Sequence, residues 1–178
     1  MAEHEAVLVA LRILERVRDA LSAGGKDAAE HLDQLLDFLK VFVDRCHHGK
    51  EEDVLFPELE RRGVPREGGP IGVMLWEHEE GRRHIRAMAD GLAKLQGGEP
   101  GAAAAIGSSA SAYVDLLRLH IRKENTILFP MADRVVPADA AAGLIEAFEV
   151  IERERVGAGR HEAFHAMLHS LRERYGIG

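Results

Sequence analysis

Hydrophobic side chains recur every three or four residues along most of the chain, which is the spacing of an amphipathic helix. In the first segment the recurring positions are Val7, Leu8, Leu11, Leu14, Val17 and Leu21. Comparable spacing predicts helices over residues 3–23, 28–62, 71–96, 102–135, 138–154 and 160–175. The alternation typical of strands does not occur in the sequence, so we expect an all-α protein.

Glycine and proline separate the predicted helices. Gly24 and Gly25 end the first helix, a glycine-rich loop spans residues 63–70, and the clearest turn spans residues 97–101. Because short connections favour antiparallel neighbours, the first four helices are expected to run alternately up and down.

Composition narrows the class of protein further. The chain has 178 residues, of which 46% are hydrophobic and 30% are charged, and its net charge is −7. The negative charge argues against nucleic acid or an anionic membrane as the main partner, and no apolar run approaches the ~18 residues of a membrane span. The single cysteine, Cys46, cannot form an internal disulfide and fits a reducing cytoplasm. We expect a cytoplasmic monomer or weak homodimer.

One stretch of the second helix is nearly repeated in the fourth. Residues 47–57 read HHGKEEDVLFP, and residues 120–130, which begin 73 positions later, read HIRKENTILFP. In each copy a histidine precedes a glutamate by four positions: His47 precedes Glu51, and His120 precedes Glu124. On a helix this spacing places both side chains on one face, one turn apart.

A shorter motif recurs at nearly the same interval, because Glu-His-Glu occurs at residues 3–5 and again at residues 77–79. His4 and His47 are equidistant from the turn at Gly24 and Gly25, and His78 and His120 are equidistant from the turn at residues 97–101. In antiparallel helices, residues equidistant from the connecting turn lie at one height. The four histidines and two glutamates should therefore meet at one level of a helical bundle.

Such a cluster has the chemistry of a metal site. Imidazoles and carboxylates buried together are costly unless something neutralises them, and a divalent metal ion does so. A donor set without thiolate suits iron or manganese better than structural zinc. A glutamate from each of two facing helices can bridge two ions, which leaves coordination positions open for water, an oxo bridge or a small ligand. The six predicted ligands are His4, His47, Glu51, His78, His120 and Glu124.

The paired His-x-x-x-Glu and Leu-Phe-Pro motifs, with Glu-His near the start and Glu-His-Glu between them, resemble the hemerythrin-like (HHE cation-binding) family over about residues 1–135. The resemblance implies an up-down-up-down four-helix bundle, which we place at residues 1–136. From the hydrophobic spacing we expect residues 137–178 to form two additional C-terminal helices packed on this bundle. It also implies a non-haem centre of two oxo- or hydroxo-bridged iron ions, with Mn or Zn as substitutes. The six residues above become its ligands, and Glu51 and Glu124 become its bridges.

Members of this family bind O2 or NO, sense O2 or iron, or repair iron–sulfur clusters. Residues 69–74, GPIGVM, are similar to the repair branch, but the cysteine-bearing domain usual in that branch is missing from this sequence. Oxygen carriers have a histidine where Met74 stands. We therefore expect repair and simple oxygen carriage to be disfavoured.

Other histidines are secondary candidates. Residues 161–165 read HEAFH and match the HExxH pattern of zinc proteases, but no suitable third ligand follows, so we do not expect a protease. His161, His165 and His169 share one helical face, and His165 could join the main centre if the last helix packs beside it. His48 adjoins a predicted ligand but points about 100° away from it on an α-helix.

Two classes of function are compatible with this site. In the first, the di-iron centre binds or reduces O2, NO or peroxide, with or without catalytic turnover. In the second, the protein is a non-catalytic module that senses iron or oxygen, or handles iron. Metal binding would then supply folding free energy, and the last two helices would be the read-out surface. We favour the first class.

Overall fold

The computed structural model describes residues 2–157 and 159–178, and six continuous helices run through this part of the chain. They are α1 (Ala2–Ser22), α2 (28–61), α3 (Pro70–Gln96), α4 (102–135), α5 (Ala138–Arg155) and α6 (Arg160–Arg174). Strands do not occur within these residues, so the predicted all-α fold is confirmed. None of the helices that the structure describes is both long and apolar enough to cross a membrane.

The first four helices form the predicted up-down bundle. Helix α1 packs between α2 and α4, and α3 packs against the other sides of the same two helices. Leu11 and Leu14 of α1 and Leu35 of α2 belong to the same buried cluster, and all three are at most 1% exposed. Burying one such leucine contributes roughly 1.5–3 kcal/mol relative to leaving it in water. Helices α3 and α4 approach closely at Gly91, where a Cβ atom would lie 2.7 Å from Ile106.

Helices α2 and α4 are not α-helical throughout, which the sequence did not predict. Helix α2 contains the π-helical segments Leu39–His48 and Glu51–Leu55, and α4 contains the π-helical segment Glu124–Leu128. Pro57 and Pro130 follow immediately, near the start of the next α-helical segment. Proline has no N–H and its ring clashes with the carbonyl four residues earlier, so a widened turn before each proline relieves this conflict.

Two hydrophobic clusters lie along the bundle, one on each side of the residues predicted to bind metal. The larger extends through most of α1 to α4, and the smaller includes Leu55, Phe56, Ile71, Met74 and Leu128. Between them lie buried polar side chains at the level of His47, Glu51 and Glu124. The two clusters therefore enclose the candidate site within apolar packing.

Helices α5 and α6 pack on the outside of the bundle. Phe164 of α6 meets Phe38 edge-on, with ring centroids 5.4 Å apart. Helix α5 lies against the π-helical part of α2, where the Arg155 guanidinium covers Gly49 and pairs with Asp53. The confirmed fold is thus an all-α four-helix bundle with extra C-terminal helices, and the division at residue 136 stays a prediction.

Candidate metal centre

Four histidines meet inside the bundle as two pairs. In the outer pair the Nε2 atoms of His4 and His47 are 3.2 Å apart, and in the inner pair those of His78 and His120 are also 3.2 Å apart. Two ring nitrogens that each lie ~2.1 Å from one ion are about 3.0–3.4 Å apart at octahedral or tetrahedral angles. Each pair therefore has the spacing of two ligands on one metal ion.

The two predicted glutamates lie between these pairs. Glu124 has its Oε2 atom 3.1 Å from Nε2 of His4 and its Oε1 atom 2.9 Å from Nε2 of His120. Glu51 has its Oε2 atom 3.2 Å from Nε2 of His78. The ligand atoms form two groups, and Glu124 belongs to both: one is His4, His47 and Glu124, and the other is Glu51, His78, His120 and Glu124. The structure thus brings all six predicted ligands together.

The donor atoms also have the electrostatics of a cation site. The carboxylate oxygens of Glu51 and Glu124 are buried, and none has a hydrogen bond of good geometry within the described residues, although imidazole nitrogens lie close to them. Leaving a buried carboxylate without such partners is costly, and a metal ion would remove this cost. The site therefore fits a cation.

Protonation of the metal-free centre follows from the same environment. Burial raises the pKa of Glu51 well above its ordinary value, and the charge of Glu124 adds to this effect. Burial also acts to raise the pKa of Glu124, but His120 and His4 outweigh it and the pKa falls well below its ordinary value. Burial acts to lower the pKa of His120, but Glu124 and Glu77 outweigh it and raise the pKa to about 9. Both shifts favour the protonated form, so metal binding would compete with protons at Glu51 and His120.

The outward-facing Nδ1 atoms of all four histidines are held by acceptors. The four contacts are His47 to Glu3 at 2.8 Å, His120 to Glu77 at 2.9 Å, His78 to Glu52 at 2.7 Å and His4 to Asn125 at 3.0 Å. An acceptor at Nδ1 requires the proton there, so in the neutral ring the Nε2 lone pair is directed inward. These side chains orient the rings as ligands.

Two lysines complete this support. Lys50 donates to Glu3 at 2.6 Å, and Lys123 donates to Glu77, the corresponding glutamate of the repeat. Burial acts to raise the pKa of Glu3, but His47 and Lys50 outweigh it and lower the pKa to about 2. These four residues were not predicted as part of the site, although Glu3 recurs as Glu77 after 74 positions and Lys50 recurs as Lys123 after 73.

A further support occurs in the inner half alone. Arg82 donates from Nη2 to Glu52 at 2.6 Å and from Nε to Asp44 at 2.7 Å, which fixes the carboxylate that holds His78. The internal repeat has different residues at the corresponding positions of the outer half. Leu8 corresponds to Arg82, Asn125 to Glu52 and Leu117 to Asp44. The internal repeat therefore gave no signal for this network.

The two secondary candidates have different positions. His165 lies on the outer face of α6, exposed to solvent and 4.7 Å from His161 between ring centroids, and it does not join the cluster. His48 points away from His47, and this direction brings it to the inner pair. Its ring is buried and stacks on that of His78 with centroids 3.9 Å apart. Burial lowers the pKa of His48 well below its ordinary value, and the neighbouring His78 adds to this effect.

A cleft of about 340 Å³ reaches the outer pair from the surface. Its apolar wall is formed by Leu55, Phe129 and Phe148, and it also exposes the edges of His4 and His47. The inner pair is at most 1% exposed. Access to the centre is therefore from the outer side.

A helical bundle that buries two histidine pairs around a shared glutamate defines a metal-binding protein of the His/Glu class. Residues 1–132 match the family described as the Hemerythrin HHE cation binding domain, and the chain belongs to this family.

Similar proteins occur in mycobacteria. The chain is 27% identical over 158 residues to Uncharacterized protein Rv1995 of Mycobacterium tuberculosis and to Uncharacterized protein Mb2018 of Mycobacterium bovis. Each match covers 88% of this chain and 61% of the relative, so the chain spans about three-fifths of their length. No solved structure matches the chain significantly.

Proposed function

We propose that this protein holds two iron ions between its histidine pairs and binds or reduces a small ligand there, namely O2, NO or peroxide. The observation that carries the proposal is the position of Glu124, which has one carboxylate oxygen close to each histidine pair. A carboxylate so placed suits a bridge between two ions. Glu51 adds a second carboxylate from the facing helix.

The donor set supports iron and open coordination. Imidazole with carboxylate suits iron or manganese, and zinc is a further substitute. The six residues offer at most about eight donor atoms, whereas two six-coordinate ions have about twelve positions. Bound iron would supply one-electron redox chemistry and vacant positions for a small ligand.

The surroundings of the centre favour a small, weakly polar ligand. Leu55, Phe129 and Phe148 line the cleft that leads to the outer pair, and they limit the water that can enter with the ligand. Phe129 also stacks on the His4 ring, with centroids 5.6 Å apart, and restricts its rotation. Phe129 thus orients the imidazole of His4, and the apolar side chains of the cleft restrict entry of the small molecule.

A non-catalytic sensing or iron-handling function is the second candidate, and one contact favours it. Lys50 donates both to Glu3, which holds His47, and to Glu152 of α5 at 2.8 Å. A change at His47 on metal binding could therefore alter the packing of α5. In this candidate the C-terminal helices report whether the centre is occupied.

The test uses the whole chain loaded with Fe(II) without oxygen. Rapid mixing with O2, NO or hydrogen peroxide should change the absorption spectrum, and repeated decay of added peroxide would support turnover. Hydrogen exchange in residues 138–155 with and without metal tests the second candidate. A spectrum that none of the three ligands changes, with metal-dependent protection of α5, would replace the redox proposal by the sensing one.

A further inference from the structure

The last helix carries a third pair of histidines, which the metal centre does not use. His161 and His165 lie one turn apart on α6, so both side chains are on one face of the helix. Their ring centroids are 4.7 Å apart, and the ring planes make an angle of 60°. In the two pairs of the centre the corresponding values are 4.9 Å and 79°, and 4.8 Å and 68°. The third pair therefore has nearly the ring geometry of the other two.

A carboxylate of the neighbouring helix faces this pair. Glu152 of α5 has its Oε1 atom 3.9 Å from Nε2 of His161, which is too long for a hydrogen bond. Two atoms that each lie ~2.1 Å from one ion are separated by up to about 4.2 Å, so both groups can reach the same ion. The two side chains are 43% and 37% exposed, and a small rotation of either brings the atoms closer.

We propose that His161, His165 and Glu152 form a peripheral site for a divalent transition-metal ion on the C-terminal helices. Two imidazoles with one carboxylate suit Ni(II), Cu(II) or Zn(II). Fe(II) binds such ligands more weakly than Ni(II) or Cu(II) does, so the site should hold little iron. The inference does not depend on which ions occupy the core of the bundle.

The charges around the pair favour a cation. Helix α6 begins at Arg160, and the positive end of its dipole opposes a cation at His161. The charge of Arg160 is balanced by its ion pair with Asp37. The charged residues that line the adjoining cleft of about 500 Å³ are Glu149, Glu152, Arg153 and Glu162. Three carboxylates against one guanidinium make this cleft negative.

Glu152 also connects the peripheral site to the metal centre. Its Oε2 atom accepts a hydrogen bond from Lys50 at 2.8 Å, and the same lysine donates to Glu3, which holds His47. The two oxygens of one carboxylate are thus divided between the histidine pair of α6 and the support of the outer pair. A metal ion at Oε1 would draw charge from Oε2 and weaken the bond to Lys50, so occupancy of the peripheral site would alter the support of His47.

The main test is equilibrium dialysis of the whole chain against Ni(II), with bound nickel measured by atomic absorption. His161→Gln should weaken one Ni(II) site by roughly 10-fold or more, the scale of losses seen for groups that only support metal ligands. Comparison with the wild type cancels any nickel held in the core, which both chains share. The matched control is His169→Gln, one turn further along α6, where the ring nitrogen lies 3.5 Å from Glu173. It should bind as much nickel as the wild type.

Two further measurements identify the ligands. Diethyl pyrocarbonate modifies accessible histidines, and Ni(II) should protect His161 and His165 from it several-fold while leaving His169 reactive. Glu152→Gln keeps an oxygen that can accept from Lys50 but removes the charge, and it should weaken the Ni(II) site several-fold. Glu154→Gln alters an exposed carboxylate of the same helix and should leave the site unchanged.

The outcomes distinguish this inference from the proposed function. Equal nickel binding by the wild type and His161→Gln, with both histidines still reactive in Ni(II), overturns the inference. A loss in His169→Gln as large as that in His161→Gln also overturns it, because the ion would then not be held by the ligands named here. Either result leaves the two-iron proposal intact, since loading with Fe(II) tests that proposal separately.

Discussion

The two halves of the centre belong to the same internal repeat but differ in their access to solvent. Both have a histidine pair, a Glu–Lys support and a phenylalanine that stacks on a ligand ring: Phe129 on His4 in the outer half and Phe56 on His78 in the inner half. The outer half opens to a cleft, whereas the inner half is closed and holds the additional ring of His48.

The polar support of the two halves differs as well. In the inner half the acceptor on His78 is the carboxylate of Glu52, fixed by Arg82, whereas in the outer half the acceptor on His4 is the neutral amide of Asn125. A carboxylate acceptor makes an imidazole a stronger donor to metal. The comparison teaches that the two halves differ in access and in the charge of their polar support, so that two ions in the proposed centre would have unequal surroundings.

The largest expected effect comes from removing the residue that the halves share. Glu124→Ala should lose both metal ions, because its carboxylate lies close to both histidine pairs. Glu51→Ala should affect the inner ion more, since the contacts of Glu51 are with that half. The number of iron ions per chain after loading and desalting measures the loss in each of the two variants. Two ions retained in Glu124→Ala would contradict the shared position, and Glu162→Ala on the exposed face of α6 is the control.

The next effect concerns the unequal acceptors. Glu52→Gln should weaken the inner site by about 10–100-fold, because His78 loses a charged acceptor and the ring becomes a poorer ligand. The outer site should change little. Competition with a coloured chelator measures the two affinities, and an equal loss at both sites would show that the halves are not independent. Glu79→Gln, an exposed neighbour, is the matched control.

A smaller effect is expected on the stability of the metal-free protein. The folded-state pKa of Glu3 is about 2, below its ordinary value of 4.5, so the carboxylate stabilises the fold above about pH 4.5. This contribution is lost as the pH falls from about 4.5 towards 2. Glu3→Gln should lower the free energy of unfolding at pH 6 by about 1–3 kcal/mol, and the difference should shrink in acid. Urea unfolding at several pH values checks this.

The control for this pH dependence is Glu5→Gln, which alters an exposed carboxylate two residues away. It should show little change at any pH, as most surface substitutions do. A Glu3→Gln difference that stays constant between pH 6 and pH 3 would contradict the role of the Glu3 charge.

The smallest effect concerns access to the outer half. Phe148→Ala should widen the cleft and speed the entry of NO to the reduced, iron-loaded protein by a few-fold, without changing the number of ions bound. Stopped-flow absorption measures the entry rate. Ile145→Ala, which alters an exposed apolar residue of the same helix, should leave the rate unchanged.

Much of this centre could be predicted from the sequence, because helix length and turn position fix where a residue lies along the axis of the bundle. His4 and His47 are equidistant from one turn, and His78 and His120 from another, and the structure brings these four side chains to one level. The predicted helix ends agree with the structure to within one or two residues for the same reason, since glycine and proline mark them.

The rest depends on features that helical spacing does not contain. The π-helical turns before Pro57 and Pro130 have no signature in the hydrophobic spacing, and the stacking of His48 on His78 depends on how α2 packs against α3. The link from Arg82 to Asp44 and Glu52 joins two helices through tertiary packing and recurs nowhere in the repeat. The contact of α5 with Lys50 likewise follows from how the C-terminal helices pack.

The most direct test of a two-metal centre is the iron content per chain after anaerobic loading with Fe(II) and removal of unbound metal. The arrangement of two histidine pairs around Glu124 predicts about two irons per chain, with an absorption spectrum that changes when NO is added. One iron or none per chain, with a spectrum that NO leaves unchanged, would contradict it.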